Sequence, residues 1–155
     1  EVIEKIKAIG VLPVIRANSE REARQVIDAV RAGGITTIEV TMTVPNAVAL
    51  IENLSKDYGA EILIGAGTVL DAETAARCIE AGAQFIISPA LNLDTIKFCN
   101  ARETVVMPGA LTPTEIVTAW NAGADFVKTS TGFAKGGRGY HIPRPFGNFG
   151  RPGRP

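Results

Sequence analysis

The 155-residue sequence predicts an α/β protein of the (β/α)8, TIM-barrel type with six of the eight strand–helix units present, and three observations carry that prediction. Short, near-continuous apolar runs alternate strictly with capped, helix-periodic segments, the pattern of a parallel sheet covered by helices. The runs start near residues 36, 61, 85, 105 and 126, a spacing of 20 to 25 residues that suits one strand and one helix. Small or polar residues gather at the carboxyl end of nearly every run, where barrel enzymes keep their sites; an open doubly wound sheet would concentrate them at one switch point.

Each element has its own reason. Val2, Ile3, Ile6 and Ile9 recur at helical spacing and predict a lid helix ahead of the first strand, residues 11–15, which Arg16 closes. Ser19 and Glu22 have the spacing of a capping box and open a helix that Gly33 and Gly34 end. Residues 35–41 form the second strand. Asn46 starts a helix that stops before Gly59, and residues 61–64 form a third strand running into a Gly65-Ala66-Gly67-Thr68 turn. Asp71 caps the next helix, and residues 85–89 are strand four. Residues 92–101 are helical and 105–107 are strand five. Thr112-Pro113-Thr114-Glu115 is a second capping box with proline at the first helical position, and Phe126-Val127-Lys128 is strand six.

After Lys128 the alternation stops. Residues 135–155 hold six glycines, four prolines, Lys135 and four arginines with no acid, a charge of +5 against −5 for the first 134 residues. Two segments are therefore expected: a partial barrel over 1–134 and a Gly/Pro/Arg-rich tail over 135–155, disordered or loop-like and best explained by a truncated or recombined gene product. A tail that contacts anions is the functional alternative. With 46% hydrophobic residues, the chain can build one real core. Its mildly acidic body argues against a nucleic-acid partner. No apolar run approaches a membrane span or a signal peptide, and Cys78 and Cys99 lack metal-ligand spacing, so a cytoplasmic protein with reduced thiols is expected.

Lys128 is the first candidate for chemistry. If Phe126 faces a barrel interior, alternation puts Lys128 there too, and desolvation would leave a neutral amine able to attack a carbonyl and form a Schiff base. A solvent-facing lysine at a strand end is the bland alternative. Glu39 is the second, a carboxylate between Ile38 and Val40 whose burial would raise its pKa toward the range useful for proton transfer. A structural salt bridge to Arg16 competes with that role. Thr68 offers a hydroxyl for a carboxylate or oxyanion, and Pro89 an apolar wall or a plain strand stop. Thr129-Ser130-Thr131-Gly132 offers hydroxyls and amides for a phosphate, Thr131 and Gly132 above all, or a capping turn.

Five segments carry a family resemblance: Ile38-Glu39-Val40-Thr41, residues 64–70, residues 81–89, Met107-Pro108-Gly109 and Thr112-Pro113-Thr114-Glu115. In these the chain, from about residue 11 to 128, resembles the 2-keto-3-deoxy-6-phosphogluconate (KDPG) aldolases, which also act on 4-hydroxy-2-oxoglutarate. The resemblance implies a class I, Schiff-base aldolase that releases pyruvate and an aldehyde without metal or cofactor. Lys128 is then the Schiff-base lysine and Glu39 the acid/base, while Thr68 and Pro89 shape the pyruvate pocket and Arg16 lies near substrate. A homo-oligomer, a trimer by the same resemblance, is implied as well.

The sequence departs from the family in three places. Thr43 stands where many members carry an arginine. Lys128-Thr129-Ser130-Thr131-Gly132-Phe133 resembles the lysine strand of deoxyribose-phosphate aldolase, which keeps the mechanism and opens the substrate. The family's seventh and eighth strands, with their Thr-Gly-Gly turn and phosphate loop, have no counterpart. Two further readings therefore stand beside the first: a deoxyribose-phosphate aldolase, and a non-catalytic partial barrel that self-associates through unpaired edge strands.

Overall fold

The alternation becomes, in a computed structural model that describes residues 1–59, 61–130 and 139–143, the order α1 (Val2–Ile9), β1 (Val14–Ile15), α2 (Glu20–Ala32), β2 (Thr37–Thr41), α3 (Ala47–Tyr58), β3 (Leu63–Gly67), α4 (Ala72–Glu80), β4 (Phe85–Ile87), α5 (Leu93–Ala101), β5 (Val105–Met107), β6 (Gly109–Ala110), α6 (Pro113–Asn121), β7 (Phe126–Ser130) and β8 (Gly139–Pro143). Short polar side chains set the helix starts. Ser19, Asp71, Asn92 and Thr112 each accept from first-turn amides that have no partner inside the helix. The capping box at Thr112 and Glu115 is complete, with Pro113 at the first turn. At Ser19 the reach-back goes one residue further than expected, because Glu22 accepts from the amide of Asn18.

Strands β1 to β5 are parallel and lie in chain order. Pro108 has no N–H to give, so it splits the fifth run into β5 and β6. The amide of Lys128 donates to the Pro108 carbonyl at 2.9 Å and that of Asp125 to Val106 at 3.1 Å, so the sheet continues from β5 and β6 into β7. The result is six parallel runs of a barrel-type α/β fold. Two joints are closed twice over. Gln84 donates from its amide to the Ile64 carbonyl (2.8 Å) and accepts the Ile64 amide on its side chain (3.1 Å). Asp125 does the same to Val106, accepting that amide at 3.0 Å.

The sheet divides the core in two. Ile38, Val40, Ile64, Ile86, Val106 and Val127 face the helices, while Leu63, Phe85, Ile87, Val105, Met107 and Phe126 form a smaller inner cluster. Alternation along each strand makes the division. Val2, Ile3 and Ile6 of α1 pack on the inner cluster, at the amino ends of the strands, as the lid expected of that helix. No helix among the described residues is long and apolar enough to cross a membrane.

Three expectations change. Of residues 11–15 only Val14–Ile15 form strand; Pro13 removes a donor, although its carbonyl still accepts from Glu39 at 2.9 Å. Gly65-Ala66-Gly67 is the end of β3 and no turn. A Cβ at Gly65 would overlap the Phe85 ring and one at Gly67 the Glu39 carboxylate, so bulk on the neighbouring strands, invisible to a local reading, calls for glycine here. In the tail, Gly139–Pro143 form β8, which pairs antiparallel with β7 where a loop was expected. Tyr140 and Ile142 are good strand formers, and β7 offers an edge to pair with. The rest of 131–155 lies outside the described residues.

Candidate active site

Phe126 lies in the inner cluster and Val127 in the outer one, so Lys128, third in its five-residue strand, falls on the inner face. It is half-buried. Glu39, likewise third of five, sits between Ile38 and Val40 of the outer cluster and is 2% exposed. Its carboxylate reaches across β3 over the bare Cα of Gly67. Burial pushes the Glu39 carboxyl above its ordinary range, against the opposing pull of the Lys128 and Arg16 charges. Both cations therefore act on this one acid. They reach it through charge rather than a hydrogen bond, and among the described residues Glu39 Oε2 has no hydrogen-bond partner. An acid so placed keeps its proton to higher pH than a surface glutamate does, which suits it to exchange protons near neutrality.

Arg16 follows Ile15 and is exposed at the end of β1. Thr68 follows Gly67 with φ 60°, a left-handed conformation that a β-branched residue adopts only under strain, and is half-buried at the end of β3. Pro89 is exposed beyond the end of β4; its carbonyl lies so close to Gly109 that a Cβ there would overlap it. Arg16, Thr68 and Pro89 thus follow the carboxyl ends of β1, β3 and β4, while Glu39 and Lys128 lie mid-strand on the inner face of β2 and β7. Thr129 and Ser130 belong to β7, which corrects their reading as an anion nest: continued pairing to β8 holds them extended. Thr131 and Gly132, the phosphate candidates, lie outside the described residues.

Sequence reasoning missed one contributor. Gly67 looked like a turn residue yet makes the space the acid occupies.

Fold and site together define a class: a parallel α/β barrel-type chain with a lysine and a desolvated acid on its inner face. Residues 2–140 match the family described as "Aldolase: KDPG and KHG aldolase", and the chain belongs to that family. It is 34% identical over 113 residues to the 2-dehydro-3-deoxy-phosphogluconate aldolase of Pseudomonas aeruginosa, covering 73% of this chain and 51% of that one. To the KHG/KDPG aldolase of Escherichia coli it is 35% identical over 135 residues, covering 86% and 63%. The chain thus spans about half to three-fifths of the length of these curated relatives. Among solved structures, the KDPG aldolase of Legionella pneumophila, with pyruvate captured at low pH as a covalent carbinolamine intermediate, superposes with a TM-score of 0.73 at 30% identity, covering 81% of this chain and 60% of that one.

Proposed function

We propose that this chain carries the Schiff-base half of a class I aldolase site acting on KDPG or 4-hydroxy-2-oxoglutarate. The observation that supports it is the placing of Lys128 and Glu39 on one inner face, the acid dry and within range of the lysine's charge. The Lys128 ammonium gives up a proton to water, and the amine so formed adds to the C2 carbonyl of the 2-keto acid, giving a carbinolamine that loses water to become a protonated imine. The imine accepts the electron pair of the breaking C3–C4 bond while the C4 hydroxyl gives up its proton, directly or through water, to the Glu39 carboxylate. An aldehyde leaves. The remaining enamine takes a proton at C3 from Glu39, and water releases pyruvate and restores the amine.

Arg16, Thr68 and Pro89 line the mouth for the keto acid in this reading, with the Arg16 guanidinium a partner for a carboxylate. No cofactor enters the scheme. The family match over residues 2–140 supports the same reading. Buried, reduced Cys78 and Cys99 fit a cytoplasmic setting. Exposed Leu70, Leu111 and Val117 fit a homo-oligomer, a trimer by the family resemblance. Residues 1–134 are the catalytic unit in this reading and 135–155 an appendage. Borohydride added with pyruvate is expected to leave the mass of one reduced pyruvate on Lys128. A folded chain that takes up no label overturns the proposal.

A further inference from the structure

One described strand lies outside the expected barrel units. β8 runs antiparallel to β7 at the end of its sheet, so one of its edges pairs with no described strand. The register of this pair is definite: Tyr140 stands opposite Thr129, and His141 stands opposite Lys128. His141 is the single histidine of the chain. Positions directly opposite one another in an antiparallel pair share a face of the sheet, so position 141 falls on the inner face together with position 128. On the other side of β7, β6 sets Gly109 at the level of Lys128 and offers nothing there that titrates. Glu39 meets the lysine through charge. An imidazole is the one side chain whose ordinary pKa, about 6.5, lets it both take and give a proton near neutrality.

We infer that His141 is a further catalytic residue, the proton carrier for imine formation at Lys128. This rests on the Schiff-base reading above, puts an imidazole in place of water in its first step, and brings one residue of the 135–155 appendage into the site. The neutral imidazole takes a proton from the Lys128 ammonium, and the electron pair so freed forms the bond to C2 of the keto acid. A nitrogen proton passes to the former carbonyl oxygen, giving the neutral carbinolamine. The imidazolium then gives its proton to the carbinolamine hydroxyl, which leaves as water while the nitrogen pair closes the C=N bond. The imidazole is restored, and the single positive charge ends on the imine.

The test is the rate at which pyruvate, with cyanoborohydride in excess, labels Lys128, a reaction that stops before any carbon–carbon bond is touched. His141→Gln is expected to label about 10²-fold more slowly than the parent, the lower end of what a positioned acid or base contributes, and to reach the same final mass. Imidazole added to the buffer is expected to restore the rate of His141→Ala, which it would not do if β8 needed His141 only for pairing. His141→Thr combined with Ile142→His moves the imidazole one position along β8, to a position of the other face, and is expected to label as slowly as His141→Gln. An unchanged rate in His141→Gln, a slow rate in His141→Ala that imidazole fails to restore, or a full rate in the double variant overturns the inference alone. A parent chain that takes up no label overturns the Schiff-base reading and the inference with it.

Discussion

Residues 81–87 and 122–128 share the pattern Ala-Gly-Ala-(Gln or Asp)-Phe followed by an aliphatic residue, and they fold alike until the last position. In both, alanine ends a helix and glycine takes a left-handed conformation, φ 99° at Gly82 and 94° at Gly123. The next alanine returns an amide to the helix, Ala83 to Cys78 and Ala124 to Ala119. Gln84 and Asp125 lock onto the preceding strand, and Phe85 and Phe126 enter the inner cluster. The seventh residue is Ile87 in one and Lys128 in the other, both facing inward. The chemistry is therefore a single side chain changed on a scaffold that is used twice. The scaffold needs no charge at that place.

Three experiments break or sharpen this comparison. Lys128→Ile copies the first segment into the second, and complete loss of pyruvate trapping is expected while thermal unfolding shows a stability no lower than the parent's. A surviving adduct would place the reacting amine elsewhere. Glu39→Gln tests the buried acid on which the Lys128 charge of the second segment acts. Because burial raises the Glu39 carboxyl, the parent is unburdened below the ordinary carboxylate range and loses stability as pH rises through the raised value. The variant is thus expected to match the parent in urea unfolding near pH 4 and to exceed it near neutrality by about 1–3 kcal/mol, with aldol turnover down about 10²–10⁴-fold. Equal stability at both pH values would contradict the burial. The smallest effect extends the comparison to the end of α5, where Glu103 takes the place of glycine at φ 54°. Glu103→Gly is expected to raise stability by up to about 1 kcal/mol, read as a shift in urea midpoint at unchanged slope.

Much of this was legible in the sequence because its causes are local. Alternation at Phe126, Val127 and Lys128 needs only the period of a strand, and Glu39 stands out as a charge inside an apolar run. What escaped has causes elsewhere in the chain. Gly65 and Gly67 break a strand by local rules, but Phe85 and Glu39 fill the space above them. The buried Thr41 hydroxyl finds its acceptor in the Ile15 carbonyl, which lies on another strand. Residues 139–143 have too little apolar pattern to be read as a strand until β7 offers its edge.

The paired bonds at Gln84 with Ile64 and at Asp125 with Val106 have a consequence for how such a sheet is assembled. Each is closed as soon as one further strand begins, by a residue lying just ahead of it, and neither waits for a ring to be completed. Construction can then proceed like a ratchet, every added repeat clicking against the one before and holding there.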